Sequence, residues 1–183
     1  MKKLIAFGAS NSKQSVNQKL ASYAANMVSG AEVDLLDLND YEMPIYSVDR
    51  EIEFGLHDLA MKFKEKINSA DGIIISLAEY NGNITSAFKN IIDWVSRVEQ
   101  KLWSNKPVLL LSASPGPRGG AGAMGVAKAG MPYQGANIVG SFSLPSYGQN
   151  FSEGEISNKD LKEALEKELK NLEAAMNEVR VEA

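Results

Sequence analysis

The sequence predicts an α/β fold, a five-stranded parallel sheet between two layers of helices. Two observations carry that expectation. Apolar runs rich in β-branched residues alternate five times with stretches of helical periodicity. The runs are continuously apolar, which implies burial on both faces, and a sheet covered by helices on both sides provides it.

The elements follow in order. Residues 4–7, Leu-Ile-Ala-Phe, are the first expected strand. Val16, Leu20, Tyr23 and Met27 then recur at helical spacing. Residues 33–36 alternate little and read as a second, buried strand. Leu56, Leu59, Phe63 and Ile67 mark a second helix. Residues 72–77 hold three successive isoleucines and give the clearest strand. Phe88, Ile91, Ile92 and Val95 mark a third helix, and residues 108–111, after Pro107, a fourth strand. Residues 122–133 read as a fourth helix weakened by three glycines. Residues 138–144 are the fifth strand. Leu161, Leu165, Leu169, Leu172 and Met176 give a long terminal helix whose leucines face the core by spacing. Right-handed crossovers leave few topologies for such a chain. The expected one is a flavodoxin-like three-layer sandwich with strand order 2-1-3-4-5. Its switch point separates the first and third strands, so a ligand crevice is expected beyond their carboxyl ends.

Composition narrows the function classes. A chain of 183 residues is expected to form one domain, residues 1–183, with a full core. The formal net charge is −4 with both signs interspersed, so no nucleic-acid partner is expected. The absence of cysteine excludes thiolate catalysis and thiolate metal sites. His57, the single histidine, opens a helix away from the crevice, so no histidine triad and no metal site is expected. The apolar run after Met1-Lys-Lys stops at Gly8, too short for an export signal, and no run is long enough to span a membrane. A soluble cytoplasmic protein without a membrane partner is the expectation.

Two polar loops follow the first and third strands. The first holds Ser10, Asn11, Ser12, Lys13, Ser15, Val16 and Asn17 where a helix begins. Hydroxyls, amides and free N–H groups at a helix N-terminus suit a phosphate. Ser15 can donate to that phosphate or cap the helix. The Walker spacing is absent. The second loop is Ala78-Glu-Tyr-Asn-Gly-Asn-Ile84. Tyr80 offers a flat wall, Asn81 an amide that both donates and accepts, and Gly82 close backbone approach. Together the loops suit one flat, anionic ligand, a description that fits flavin mononucleotide (FMN).

The residues here resemble the NADPH-dependent FMN reductase family, which includes flavodoxin-like azo, quinone and chromate reductases. The first-loop pattern of that family is matched by Ser10, Ser15, Asn17, Leu20 and Ala21. Ala9 stands where the family often has glycine, and Ser12 where it often has arginine, which removes a fixed charge and a planar donor fork. The second pattern is matched by Glu79, Tyr80, Asn81 and Gly82, then by Lys89, Asn90, Ile92, Asp93 and Trp94. Ala78 replaces a proline. A third loop after the fourth strand matches at Ser114, Pro115, Gly116, Gly119 and Gly120. The resemblance implies an FMN-dependent oxidoreductase that takes electrons from NADPH or NADH. It passes them to a small-molecule acceptor: a quinone, an azo compound, free flavin or a metal oxyanion. It further implies a homodimer or homotetramer with subunit contacts beside the flavin. No side chain is expected to act as catalytic acid or base; the flavin carries the chemistry.

Other features are weighed beside these. Arg118 reads as a solvated loop residue or a partner for a nicotinamide phosphate. Gly120-Ala-Gly122-Ala-Met-Gly125 matches a dinucleotide fingerprint, but Pro115, Pro117 and Arg118 intervene after the strand. No acidic residue occurs from Val126 to Phe151, so the match is rejected in favour of a flexible or close-packed segment. Met43-Pro-Ile-Tyr46 is expected to border the crevice or to meet a neighbouring subunit. Trp94, displaced from the core stripe of its helix, is expected at a subunit interface. The rival readings are an electron-carrier flavodoxin and a non-catalytic FMN-binding protein.

Overall fold

The computed structural model describes residues 1–178. A central parallel sheet has the order β2-β1-β3-β6-β7, which is 2-1-3-4-5 among the sheet strands. These strands are β1 (Lys2–Ala9), β2 (Ala31–Leu35), β3 (Gly72–Leu77), β6 (Pro107–Ala113) and β7 (Asn137–Leu144). Two short hairpins join them, β4 (Glu79–Tyr80) with β5 (Asn83–Ile84), and β8 (Phe151–Ser152) with β9 (Glu155–Ile156). The helices are α1 (Val16–Asn26), α2 (Val48–Phe54), α3 (Asp58–Ser69), α4 (Ser86–Val98), α5 (Ala121–Gly130), α6 (Tyr147–Asn150) and α7 (Lys159–Glu178).

The continuous apolar strands are buried on both faces because alternate residues enter two separate cores. Ile5, Phe7, Ile73, Ile75, Val108 and Leu110 face the layer of α3, α4 and α5. Leu4, Ala6, Ile74, Leu109 and Leu111 face α1 and α7. In the first core Phe7 lies 5.8 Å from Phe63 and 5.9 Å from Phe88, centroid to centroid. Lys64 is only 3% exposed beside it. Its ammonium donates to the Lys101 and Leu102 carbonyls, each at 3.0 Å, and pairs with Glu99 at 3.0 Å. That pins the segment carrying the buried Trp103.

The structure departs from the sequence reading at five places. β2 is an edge strand, and Leu35 is 43% exposed because β1 is its only neighbour. The fourth helix tolerates its glycines but ends at Gly130, followed by a 3₁₀ turn over Met131–Gln134. α2 was not expected. Ser47 caps its start, Gly55 ends it at φ 78°, and none of its residues is buried, so it carries no core stripe. Leu56, expected in the second helix, lies before it: α3 starts at Asp58 behind its N-cap His57, whose Nδ1 accepts the Leu59 N–H at 3.2 Å.

Trp94 is the fifth correction. It is 2% exposed and covered by its own chain. Its indole N–H donates to the Pro44 carbonyl at 2.7 Å, Tyr46 meets it edge-on at 5.2 Å, and His57 lies 5.9 Å away. Asn90 holds this cover, donating to the Met43 carbonyl at 2.9 Å and accepting the Tyr46 N–H at 2.8 Å. The Met43–Tyr46 segment therefore packs on α4. Hydrogen bonding to Glu51 pushes the Tyr46 phenol above its ordinary pKa, since the proton is held by a carboxylate.

Candidate functional site

The carboxyl ends of β1, β3 and β6 stand side by side, and the three loops that follow them share that edge. The first loop is tight because α1 starts directly over the end of β1. A Cβ on Gly8 would lie 2.4 Å from the Gln18 nitrogen, so only glycine fits. Within the loop the Ser10 oxygen accepts the Ser12 N–H at 3.1 Å, and the Ser12 oxygen accepts that of Gln14 at 3.3 Å. Ser15 is the N-cap of α1, accepting the Gln18 N–H at 3.2 Å. In all three bonds the hydroxyl is the acceptor, so its proton stays available to an anion. The first turn of α1 has no acidic residue, which leaves the positive end of its dipole unneutralised. Val16 is half-buried at the first helical position.

Asn17 is placed differently from its expected role. It is 3% exposed, beneath the loop. Its Oδ1 accepts from the Ala113 N–H and the Ser76 hydroxyl, both at 2.8 Å, and its Nδ2 donates to the Ala113 carbonyl at 3.1 Å. Three of its four hydrogen-bonding positions are thus used to tie α1 to the ends of β3 and β6.

The second loop is a hairpin. Tyr80 pairs with Asn83, and Asn81 and Gly82 turn at φ 54° and 73°. Asn-Gly is the favoured sequence for such a turn, so the pair that reads as ligand chemistry is also turn chemistry. Tyr80 is 56% exposed, and a Cβ on Gly82 would meet nothing within 4 Å. Glu79 accepts the Ala123 N–H at 2.9 Å. After the hairpin, Thr85 donates to the Ala9 carbonyl at 2.9 Å and caps α4 through the Phe88 N–H.

The third loop folds back on itself. The Ser112 hydroxyl donates to the Gly119 carbonyl at 2.6 Å and lies 2.9 Å from that of Ser143. Ser114 donates to the Gly116 carbonyl at 3.1 Å. Gly116 has open space at its Cβ position. Gly119 is buried against Ser143 and Pro145, where it turns the loop at φ 57°. Arg118 is exposed.

Two observations test whether these residues suit a flavin phosphate. The hydroxyls of Ser10, Ser12 and Ser15 crowd one helix N-terminus, and the glycine backbones at Gly82 and Gly116 are open to close approach. Both fit. A cavity of about 180 Å³ continues from Asn11 to Met43, Ile45, Ser86 and Asn90. A larger groove, about 840 Å³, runs elsewhere, between the outer face of α1 and the stacked Tyr147 and Phe151.

The sequence profile described as NADPH-dependent FMN reductase matches residues 2–149, which contain all three loops. The chain belongs to that family. A 2-hydroxy-1,4-benzoquinone reductase of a Burkholderia species is 34% identical over 111 residues, 60% of this chain and 58% of the relative. A quinone reductase of Escherichia coli K12 is 38% identical over 80 residues, 44% of this chain and 43% of the relative. The chain thus spans about half the length of the curated relatives it matches. Among solved structures, FerB of Paracoccus denitrificans, a flavoenzyme NAD(P)H:(acceptor) oxidoreductase, superposes with a TM-score of 0.79. It is 23% identical, covers 97% of this chain and is itself covered to 98%, a likeness of fold.

Within this FMN reductase family member, sequence reading missed the braces. Ser76, Thr85 and Ser112 look like unremarkable strand and cap residues, and their partners lie 59, 76 and 7 positions away. Only the capping role of Thr85, a threonine just before a helical pattern, was open to local reading.

Replacing Asn17 with Ala strands the buried Ala113 N–H and carbonyl and the Ser76 hydroxyl. Each such loss costs about 1–3 kcal/mol. Asn17→Ala should therefore lower the stability of the FMN-free protein by at least about 3 kcal/mol, against about 1 kcal/mol for the cap change Ser15→Ala. Urea unfolding of the two variants measures this, and equal losses would contradict the bracing role.

Proposed function

We propose that this chain is a single FMN-binding domain, and an NAD(P)H-dependent oxidoreductase that passes electrons to a small-molecule acceptor of the quinone class. Azo compounds, free flavin and metal oxyanions are further acceptors on this reading. The observation that carries it is the meeting of three serine hydroxyls at an unneutralised helix N-terminus, on the same sheet edge as the Asn81–Gly82 turn. Family membership and the quinone reductase activities of the relatives support the same reading.

Ser10, Ser12 and Ser15, with the N-terminus of α1 at Val16, would hold the phosphate. Asn17 would fix that cluster from below. Tyr80, Asn81 and Gly82 would border the ring, with Ser114 and Gly116 offering polar groups from the third loop. Glu79 and Gly119 would support these loops from behind. Bound FMN would supply two-electron transfer between the nicotinamide and the acceptor. The exposed Tyr80 and the open Gly82 leave that side accessible, which favours a broad acceptor range. The requirement for a nicotinamide nucleotide supports a cytoplasmic location.

The test begins with incubation in FMN and desalting, after which the protein should be yellow. NADPH or NADH should then bleach it without another protein, and a quinone should restore the colour. Initial-rate lines should be parallel, as expected when both substrates use one flavin face in turn. Retained FMN with no bleaching by either nucleotide would instead indicate a flavodoxin-type carrier. Protein that stays colourless would contradict the FMN reading.

A second copy of the chain completes the proposal. Ile45, Val48, Ile52 and Phe54 are 59–79% exposed, and Leu56 adjoins them. Covering this patch on both copies would bury on the order of 1,000 Å² or more, the size a specific interface requires. Asp49, Arg50 and Glu53 give the rim both signs, which suits isologous pairing. The double change Ile52→Glu and Phe54→Glu should yield folded monomers by light scattering. Trp94→Ala should instead lower stability by about 3–5 kcal/mol, as for a core aromatic. A double variant that remains dimeric would remove this face from the interface.

A further inference from the structure

The hairpin and α5 are distant in sequence and meet through one carboxylate. α5 has no side-chain cap of its own, because its N-cap is Gly120 in the left-handed region at φ 83°. The Glu79 oxygen fills that role from outside, accepting the Ala123 N–H at 2.9 Å. Free N–H groups and the helix dipole both favour a negative group at this position. Gly122 makes the approach possible. A Cβ there would stand 2.6 Å from the Gly82 carbonyl oxygen and 2.8 Å from the Glu79 carboxylate. The two backbones are therefore in direct contact beside this bond.

We infer that Glu79 is a positioning residue that locks the Asn81–Gly82 turn to the first turn of α5. It thereby sets the spacing between the second and third loops. Its consequence for the cofactor rests on the FMN reading above; the lock itself does not. One Glu79 oxygen is held by the Ala123 N–H, and through that bond Glu79 acts on a flavin by way of the two loops. The pairing also explains why the glycine-rich segment after the fourth sheet strand needs glycine at position 122. It is a close-packed seat for the hairpin.

Two variants separate the roles. Glu79→Gln keeps an oxygen acceptor for the Ala123 N–H, and Glu79→Ala removes it. In FMN-free protein, Glu79→Ala should speed hydrogen exchange at the Ala123 amide about tenfold or more, the loss of a charge-assisted bond. It should raise the Kd for FMN about tenfold. Glu79→Gln should restore both values to within about threefold of the parent protein. Unchanged Ala123 exchange in a folded Glu79→Ala variant would overturn the lock. Faster exchange with an unchanged FMN Kd would overturn its positioning role. Parent protein that takes up no FMN would overturn the cofactor reading and the flavin consequence together, while the exchange data would still judge the lock.

Discussion

The working edge of this protein depends on one buried amide. Strand ends leave backbone groups beyond the reach of the ladder, and in a buried location each needs a partner. Asn17 supplies both partners for Ala113 and a third bond for Ser76. The start of α1, the end of β3 and the end of β6 then move as one unit. Gly8 serves the same end by letting α1 lie on β1 without a side chain between them. The Thr85 bond to Ala9 adds the start of α4 to the group. Loops that are exposed at their tips are therefore fixed at their roots.

The N-termini of α1 and α5, both at this edge, have different fates. That of α1 carries serine hydroxyls and no acid in its first turn, so its partial positive charge faces outward. That of α5 receives the Glu79 carboxylate from the hairpin. A helix end already paired with a carboxylate attracts a second anion weakly. One helix end is thus left open and the other is used for assembly. This division explains why glycines in the third loop and in α5 serve turning and packing. Gly119 and Gly120 are buried in left-handed turns, and Gly122 seats the hairpin.

The parts of this arrangement that were legible in the sequence are those set by local periodicity. Three isoleucines in a row, flanked by helical spacing, indicate a buried parallel strand, and the strand order follows from few allowed crossovers. The polar loops were located because they follow such strands. What escaped were contacts that only the folded chain creates. Asn17 looks like a phosphate ligand because its partners are 96 and 59 positions away. Trp94 looks unpaired on its helix because its cover, Pro44 and Tyr46, comes from an irregular segment with no periodic signal. α2 escaped for the opposite reason. Its apolar residues face outward, so no core stripe marks it. Asn81-Gly82 had a local turn signal that its chemical interest overshadowed.

The central claim is that the α1 terminus and its serines select a phosphate while the hairpin accepts a flat ring. Titration of the FMN-free protein with FMN and with riboflavin, which lacks only the phosphate, measures that claim most directly. The account predicts FMN binding tighter by about a hundredfold or more, the sum of a few charge-assisted hydrogen bonds. Equal affinity for the two flavins would contradict it.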